Sequence, residues 1–331
     1  MFESFIKPAL LALALVATAC RAAGPQPPAP CNLPEKGGRH VISVSSGGVD
    51  RTAVVYVPYH YAGTERLPLV LTLHGSGSSA IEQLDRSQWE GEAEARGFLV
   101  LAPQGRLPLQ QGFAWNVPGV TPIPQGLEPP DDVKFISEAI DSVAKRLCVD
   151  ERRVYATGYS GGARMVAQYA CERAERFAAI GLVAGLRAGT PRKNDKGQAE
   201  PEPASCQPSR PVPVIAFAST ADKVNPFDGG GLPYWQYGVA AAQLRWAELN
   251  RCQVGPETRD VTAATKLVSY DACAEHARVL LYLTAGAGHA WPGSRALLAQ
   301  PSVLTPVPFD IDATPLMWRF FEGYRTQTPA R

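Results

Sequence analysis

The sequence predicts an α/β fold: a mostly parallel central sheet with helices on both faces and an antiparallel hairpin at its N-terminal edge. Three observations carry this. Runs such as Leu67–Leu73 and Phe98–Ala102 are apolar on both faces, as strands buried between helices must be. Segments of helical spacing alternate with such runs. Between Asp131 and Leu147, for example, Val133, Ile136, Ile140, Val143 and Leu147 recur at helical intervals behind a capping aspartate. Finally, two β-prone runs between Ser43 and Val57 flank Gly47-Gly48, the signature of a hairpin.

The remaining elements follow in order. Residues 80–96 have helical composition, and Arg153–Thr157 reads as a strand. A helix is predicted from about Ala163 to Ala174, then strands at 177–183 and 212–218. Residues 187–211, rich in proline and charge, form the loop between those strands. A helix over 234–249, a strand over 278–283 and a helix over 314–324 complete the chain. No internal repeat, coiled coil or second-domain linker interrupts the alternation. Residues 37–331 are therefore expected to form a single domain.

Composition excludes several classes. With 45% hydrophobic and 19% charged residues, the chain is not of disordered type. Its 32 basic and 31 acidic residues form no basic stripe, so no nucleic-acid partner is expected. At the N-terminus, Lys7 precedes the apolar run Pro8–Ala19, which is shorter than the ~20 residues needed to span a bilayer. The run suits a signal peptide over residues 1–19, with Ala17-Thr18-Ala19 as the small-residue cleavage pattern. Export, to the periplasm or beyond, is the expectation. Cys20 follows directly and is a candidate for lipidation, the one expected route to a membrane, although Ala17 stands where a lipobox usually has leucine. Residues 20–36 read as a flexible Pro-rich leader. Six further cysteines, Cys31, Cys148, Cys171, Cys206, Cys252 and Cys273, suggest disulfides in an exported chain. No Cys pair has zinc-site spacing, and no metal is expected.

The chemistry is concentrated around Gly158-Tyr159-Ser160-Gly161-Gly162, a GxSxG pattern between a predicted strand and a predicted helix. That context is the nucleophile elbow of an α/β-hydrolase fold, in which a strained turn exposes the serine above the sheet. A serine hydroxyl needs a base. Sites in open α/β sheets lie at the carboxyl ends of strands. Of the five histidines, His289 lies after a late strand and shares the serine's edge, whereas His276 precedes that strand. The acid should fall between serine and histidine in chain order, after a strand. Asp222 fits, with Asp228 as its nearest rival. The expected oxyanion donors are the Gly161 amide and, from the loop after the early strand, the Ser76 amide, with Gly75 as the alternative. His74 is expected to be structural. Trp115, Tyr159, Trp235 and Trp291 are candidates to line an aromatic acyl or sugar site, or else to pack in the core.

Taken in order, these residues resemble the bacterial esterase family that groups polyhydroxybutyrate depolymerase-like enzymes with feruloyl and acetylxylan esterases (carbohydrate esterase family one). The resemblance runs from about Val41 to Tyr324. It includes Leu73-His-Gly75, Arg153–Gly162, Thr220-Ala-Asp222, Asp228-Gly-Gly-Gly231 and Gly288-His-Ala-Trp-Pro-Gly293. It implies Ser160, Asp222 and His289 as the triad. It also implies the disulfides Cys252–Cys273, Cys31–Cys148 and Cys171–Cys206. Two departures stand out. Ala218-Ser219 replaces a usual His-Gly, which should alter packing, and Val224-Asn225-Pro226 replaces a usual Val-Pro, which could reshape the substrate rim. The implied activity is cofactor-independent ester hydrolysis through an acyl-enzyme. Its expected partners are small esters, or esters on polysaccharide of the feruloyl or acetyl type. Hydroxyalkanoate oligomers are the alternative substrate. A non-catalytic cell-surface binding protein is the alternative of another class.

Overall fold

The computed structural model describes residues 1–2, 31–294 and 309–327. Contacts divide the chain into Met1–Pro30 and Cys31–Arg331, and every element below belongs to the second unit. The expected signal peptide, the leader up to residue 30 and Cys20 lie outside the described residues. Among those described, no helix is long and apolar enough to cross a membrane.

Ten strands form one sheet. In chain order they are β1 (Gly38–Ser46), β2 (Val49–Val57), β3 (Leu67–Leu73), β4 (Leu99–Pro103) and β5 (Val149–Tyr159). They continue as β6 (Ala179–Val183), β7 (Val214–Ser219), β8 (Val254–Asp260), β9 (Thr265–Asp271) and β10 (Val279–Thr284). Their order across the sheet is β1-β2-β4-β3-β5-β6-β7-β10-β9-β8. The central six, β4 to β10, are mutually parallel. The β1–β2 hairpin joins one side antiparallel, and β9 and β8 close the other side antiparallel.

The strands are buried because successive side chains feed two cores. Leu69, Leu71, Val214 and Ala216 enter the core with α3 (Asp132–Arg146), α4 (Gly161–Glu172) and α5 (Val239–Leu249). Val70, Ile215 and Phe217 enter the other, with α1 (Ala80–Ser87), α2 (Trp89–Arg96) and α6 (Ala313–Phe321). Several features differ from the sequence expectation. The helix expected over 80–96 is two helices, broken where Gln88 turns left-handed at φ 56°. The helix expected from 234 begins at Val239, behind Gly238. Strands β8 and β9 were not expected; β8 is exposed throughout and carries no apolar run, whereas β9 is partly buried with buried positions at Thr265, Leu267 and Ser269. Residues 31–36, assigned to the leader, are tied down: Cys31 bonds Cys148, and the Leu33 amide donates to Gly63 O at 3.0 Å.

Three disulfides close the fold, Cys31–Cys148, Cys171–Cys206 and Cys252–Cys273. The first and second span 117 and 35 residues, so they remove more freedom from the unfolded chain than the third, which spans 21.

Candidate active site

Three parallel strands deliver three side chains to one edge. Ser160 follows β5, Asp222 follows β7 and His289 follows β10. Ser160 sits at φ 52° and ψ −114°, a conformation that costs a non-glycine residue about 1–3 kcal/mol. Its amide donates to Val183 O at 2.8 Å, which holds the turn against β6. The turn is tight enough that a Cβ on Gly162 would meet Leu73 O at 2.2 Å. Helix α4 starts immediately, so its N-terminal amides and positive dipole end face the serine.

Asp222 is buried and accepts three hydrogen bonds. His289 Nδ1–H donates to its Oδ2 at 2.7 Å. The amides of Val224 and Asn225 donate to its Oδ1 at 2.9 and 2.8 Å. The rival Asp228 is exposed. The carboxylate therefore fixes the histidine with Nε2 left for the serine side. Among the described residues no hydrogen bond closes between Ser160 and His289, yet both line one pocket of about 420 Å³.

Both sequence departures act on this framework. Ser219 Oγ donates to Ala287 O, tying the end of the acid's strand to the histidine loop. Asn225 is buried rather than on the rim, and its side chain donates to Ala184 O at 2.5 Å.

The expected oxyanion donors converge. A Cβ on Gly161 would lie 3.1 Å from the Ser76 amide nitrogen. Neither the Ser76 nor the Gly161 amide donates to an acceptor among the described residues. Ser76 lines the pocket, whereas Gly75 packs under Tyr159. His74 holds this loop in place. Its Nε2 accepts from the Gly105 amide at 2.9 Å, and its Nδ1 donates to Gly75 O at 2.8 Å. Burial pushes the imidazole down to about 4, so it is neutral near pH 7.

The aromatic candidates separate. Tyr159 lines the pocket, and its hydroxyl donates to His289 O at 2.9 Å. Trp115 and Trp291 do not line it. The Trp115 indole N–H donates to His74 O at 2.8 Å, and that of Trp291 to Thr314 Oγ1 at 3.1 Å. Each indole found a buried acceptor, so both rings brace the loops behind the pocket. Trp235 does the same through Pro226 O.

The sequence reading missed the rest of the lining. Leu109, Val120 and Pro122 form an apolar wall. Arg86, Arg164 and Tyr234 supply the polar part. Arg164 had a usable signal: four residues after Ser160, it shares the serine's face of α4. Arg86 and Tyr234 arrive by long-range folding and had none. Among the described residues no cluster of His, Cys, Asp or Glu could hold a metal ion.

The chain is similar to known proteins. The family described as "Esterase PHB depolymerase" matches residues 52–197. That match makes the chain similar to this esterase family over somewhat less than half of its length. Feruloyl esterase B of Piromyces equi is 29% identical over 252 residues, 72% of this chain and 42% of the relative. Putative esterase NocK of Nocardia uniformis subsp. tsuyamanensis is 34% identical over 167 residues, 50% of this chain and 43% of the relative. The chain thus spans less than half the length of these two relatives. Acetyl xylan esterase from Aspergillus awamori superposes with a TM-score of 0.55 at 16% identity, covering 77% of this chain and 94% of that one. That likeness is one of fold, the α/β-hydrolase fold.

Proposed function

We propose that this chain is a serine carboxylic-ester hydrolase. The observation that carries the reading is the convergence of a strained serine, an Asp-oriented histidine and two free amides on one pocket. Ser160 Oγ forms a bond to the ester carbonyl carbon while His289 Nε2 takes its proton. The Ser76 and Gly161 amides receive the developing oxyanion, each such donor contributing on the order of 3 kcal/mol. His289 then gives the proton to the leaving alkoxide as the C–O bond breaks. Water, deprotonated by His289, attacks the acyl-enzyme; the acid leaves and Ser160 regains its proton. Asp222 stabilises the imidazolium throughout.

Feruloyl or acetyl esters of plant polysaccharide are the substrates that the named relatives favour. A second reading, hydroxyalkanoate oligomers, is supported by the family description over residues 52–197 and by the arginines of the pocket. Export is supported by the apolar N-terminal run and by three disulfides. Lipid anchoring at Cys20 belongs to the same proposal; a Cys20→Ser variant that stayed in the membrane fraction would count against it.

The deciding experiment is turnover of methyl ferulate, acetylated xylan, short p-nitrophenyl esters and hydroxybutyrate oligomers by wild type and Ser160→Ala. Wild type should cleave at least one class, and the variant should lose about 10⁴–10⁶ of kcat. Undiminished turnover by the variant removes Ser160 from the mechanism. No turnover by wild type favours a binding protein.

A further inference from the structure

The pocket carries cations and no visible anion to match them. Arg164 is 5% exposed, lines the pocket and belongs to no ion pair among the described residues. Its guanidinium stacks on Tyr234 with its carbon 4.7 Å from the ring centroid. Its Nη1 makes one long contact, 3.4 Å, to the neutral Asn225 Oδ1, and its buried Nε has no acceptor. Its Nη2 would lie 3.4 Å from a Cβ on Gly161, which places it beside the two oxyanion amides. Across the pocket, Arg86 stacks on Tyr159 at 4.7 Å, also without a carboxylate partner among the described residues. Behind them Arg187 is 3% exposed, packs on Tyr237 at 4.0 Å, and none of its three guanidinium nitrogens has an acceptor. Neither Asp nor Glu lines the pocket. A buried guanidinium left unpaired is costly, and burial together with neighbouring Arg187 pushes Arg164 down to about 10. A bound anion would relieve both effects.

We propose that the substrate is an ester carrying a free carboxylate near its scissile bond, and that Arg164 is the group that recognises it, with Arg86 assisting from the opposite wall. The inference rests on the ester-hydrolase reading and specifies its substrate class. Guanidinium suits the role because its planar fork can meet both carboxylate oxygens. The position of Nη2 beside Gly161 calls for a short spacer between carboxylate and ester. The apolar wall of Leu109, Val120 and Pro122 then takes the remaining carbon chain.

The test compares each acid with its neutral amide. Monomethyl glutarate against methyl 4-carbamoylbutanoate places the carboxylate on the acyl side. 3-Acetoxybutyrate against 3-acetoxybutyramide places it on the alcohol side. Wild type should prefer the acid by about tenfold or more in kcat/KM in one arm, since a buried charged donor discriminates strongly against a ligand lacking its partner. That arm identifies which side carries the charge. In Arg164→Gln the acid-to-amide ratio should fall toward one, and Arg164→Lys should keep part of it. A wild-type ratio near one in both arms overturns the proposal. So does a Gln variant that slows acid and amide equally, because Arg164 would then act on the oxyanion or on the fold. Should the Gln variant not fold, the wild-type ratio still decides. Calorimetry separates this inference from the ester reading. Glutarate should bind Ser160→Ala protein and lose about tenfold or more in affinity when Arg164→Gln is added. Equal binding overturns anion recognition even if no ester is ever cleaved.

Discussion

Two buried arginines are solved differently in this fold. Arg51, on β2, is 6% exposed and its Nη2 lies 2.6 Å from Asp132 Oδ1, while Asp132 Oδ2 accepts the Asn116 amide at 2.7 Å. The charge is answered inside the scaffold, at the start of α3. Arg187, close to the site, is also buried, packs on the faces of Trp235 and Tyr237, and has no carboxylate partner among the described residues. Desolvation acts on both, but only Arg51 has a carboxylate to offset it. The scaffold thus satisfies its own charge, while the region around the pocket leaves a positive field pointing at whatever enters.

The site has one carboxylate contact of its own, the hydrogen bond from His289 to Asp222, and breaking it should give the largest effect. Asp222→Asn should lower kcat by about 10⁴, because an amide can still accept the Val224 and Asn225 amides yet no longer selects the correct histidine tautomer. Loss of less than tenfold in steady-state kinetics would separate the pair from the chemistry.

The scaffold side predicts a stability effect of the next size. Asp132→Ala strands the Arg51 charge and should cost about 3–5 kcal/mol in urea unfolding. Arg187→Met removes a charge that has no partner to strand. It should change stability by less than about 1 kcal/mol, or raise it. Comparable losses in the two variants would abolish the contrast, since Arg187 would then have a partner.

His74 is a third case, a buried group kept neutral. Its folded-state value is depressed from 6.5 to about 4, so the unfolded chain binds the proton more readily. Its contribution is complete above pH ~6.5 and is lost as pH falls toward about 4, a loss on the order of 3 kcal/mol. His74→Gln can keep the contacts to Gly105 and Gly75 without titrating. Its unfolding midpoint should be flatter over that window than that of wild type. Parallel pH profiles would mean that His74 does not control acid stability.

These contrasts also explain what could be read from the sequence. Ser160, Asp222 and His289 could be placed together because each follows a buried parallel strand, and strand direction is written in runs such as Val214–Ser219. The central sheet was legible for the same reason. Strand β8 was not, because its residues face solvent and show no pattern. Trp115 and Trp291 sit near the site in the chain, but which way an indole turns depends on whether a buried acceptor, His74 O or Thr314 Oγ1, is waiting. Likewise an unpaired arginine looks like any other until the fold shows which carboxylates stay out of reach.

The smallest effect concerns Tyr159, where the two regions meet. Its ring packs in the core of the α1 and α6 face, and its hydroxyl donates to His289 O at 2.9 Å. Burial pushes the phenol up, so it is a neutral donor across the working pH range. Tyr159→Phe removes that single bond while keeping the packing and the surface on which Arg86 stacks. A neutral hydrogen bond contributes about 0.5–1.5 kcal/mol, so kcat should fall roughly two- to tenfold through looser placement of the histidine loop. The effect should be the same for charged and neutral esters, because the bond orients His289 and touches no substrate. An acid-to-amide ratio that changed in Tyr159→Phe would mean that Tyr159 helps to hold the anion through Arg86. The recognition surface would then extend across both walls of the pocket.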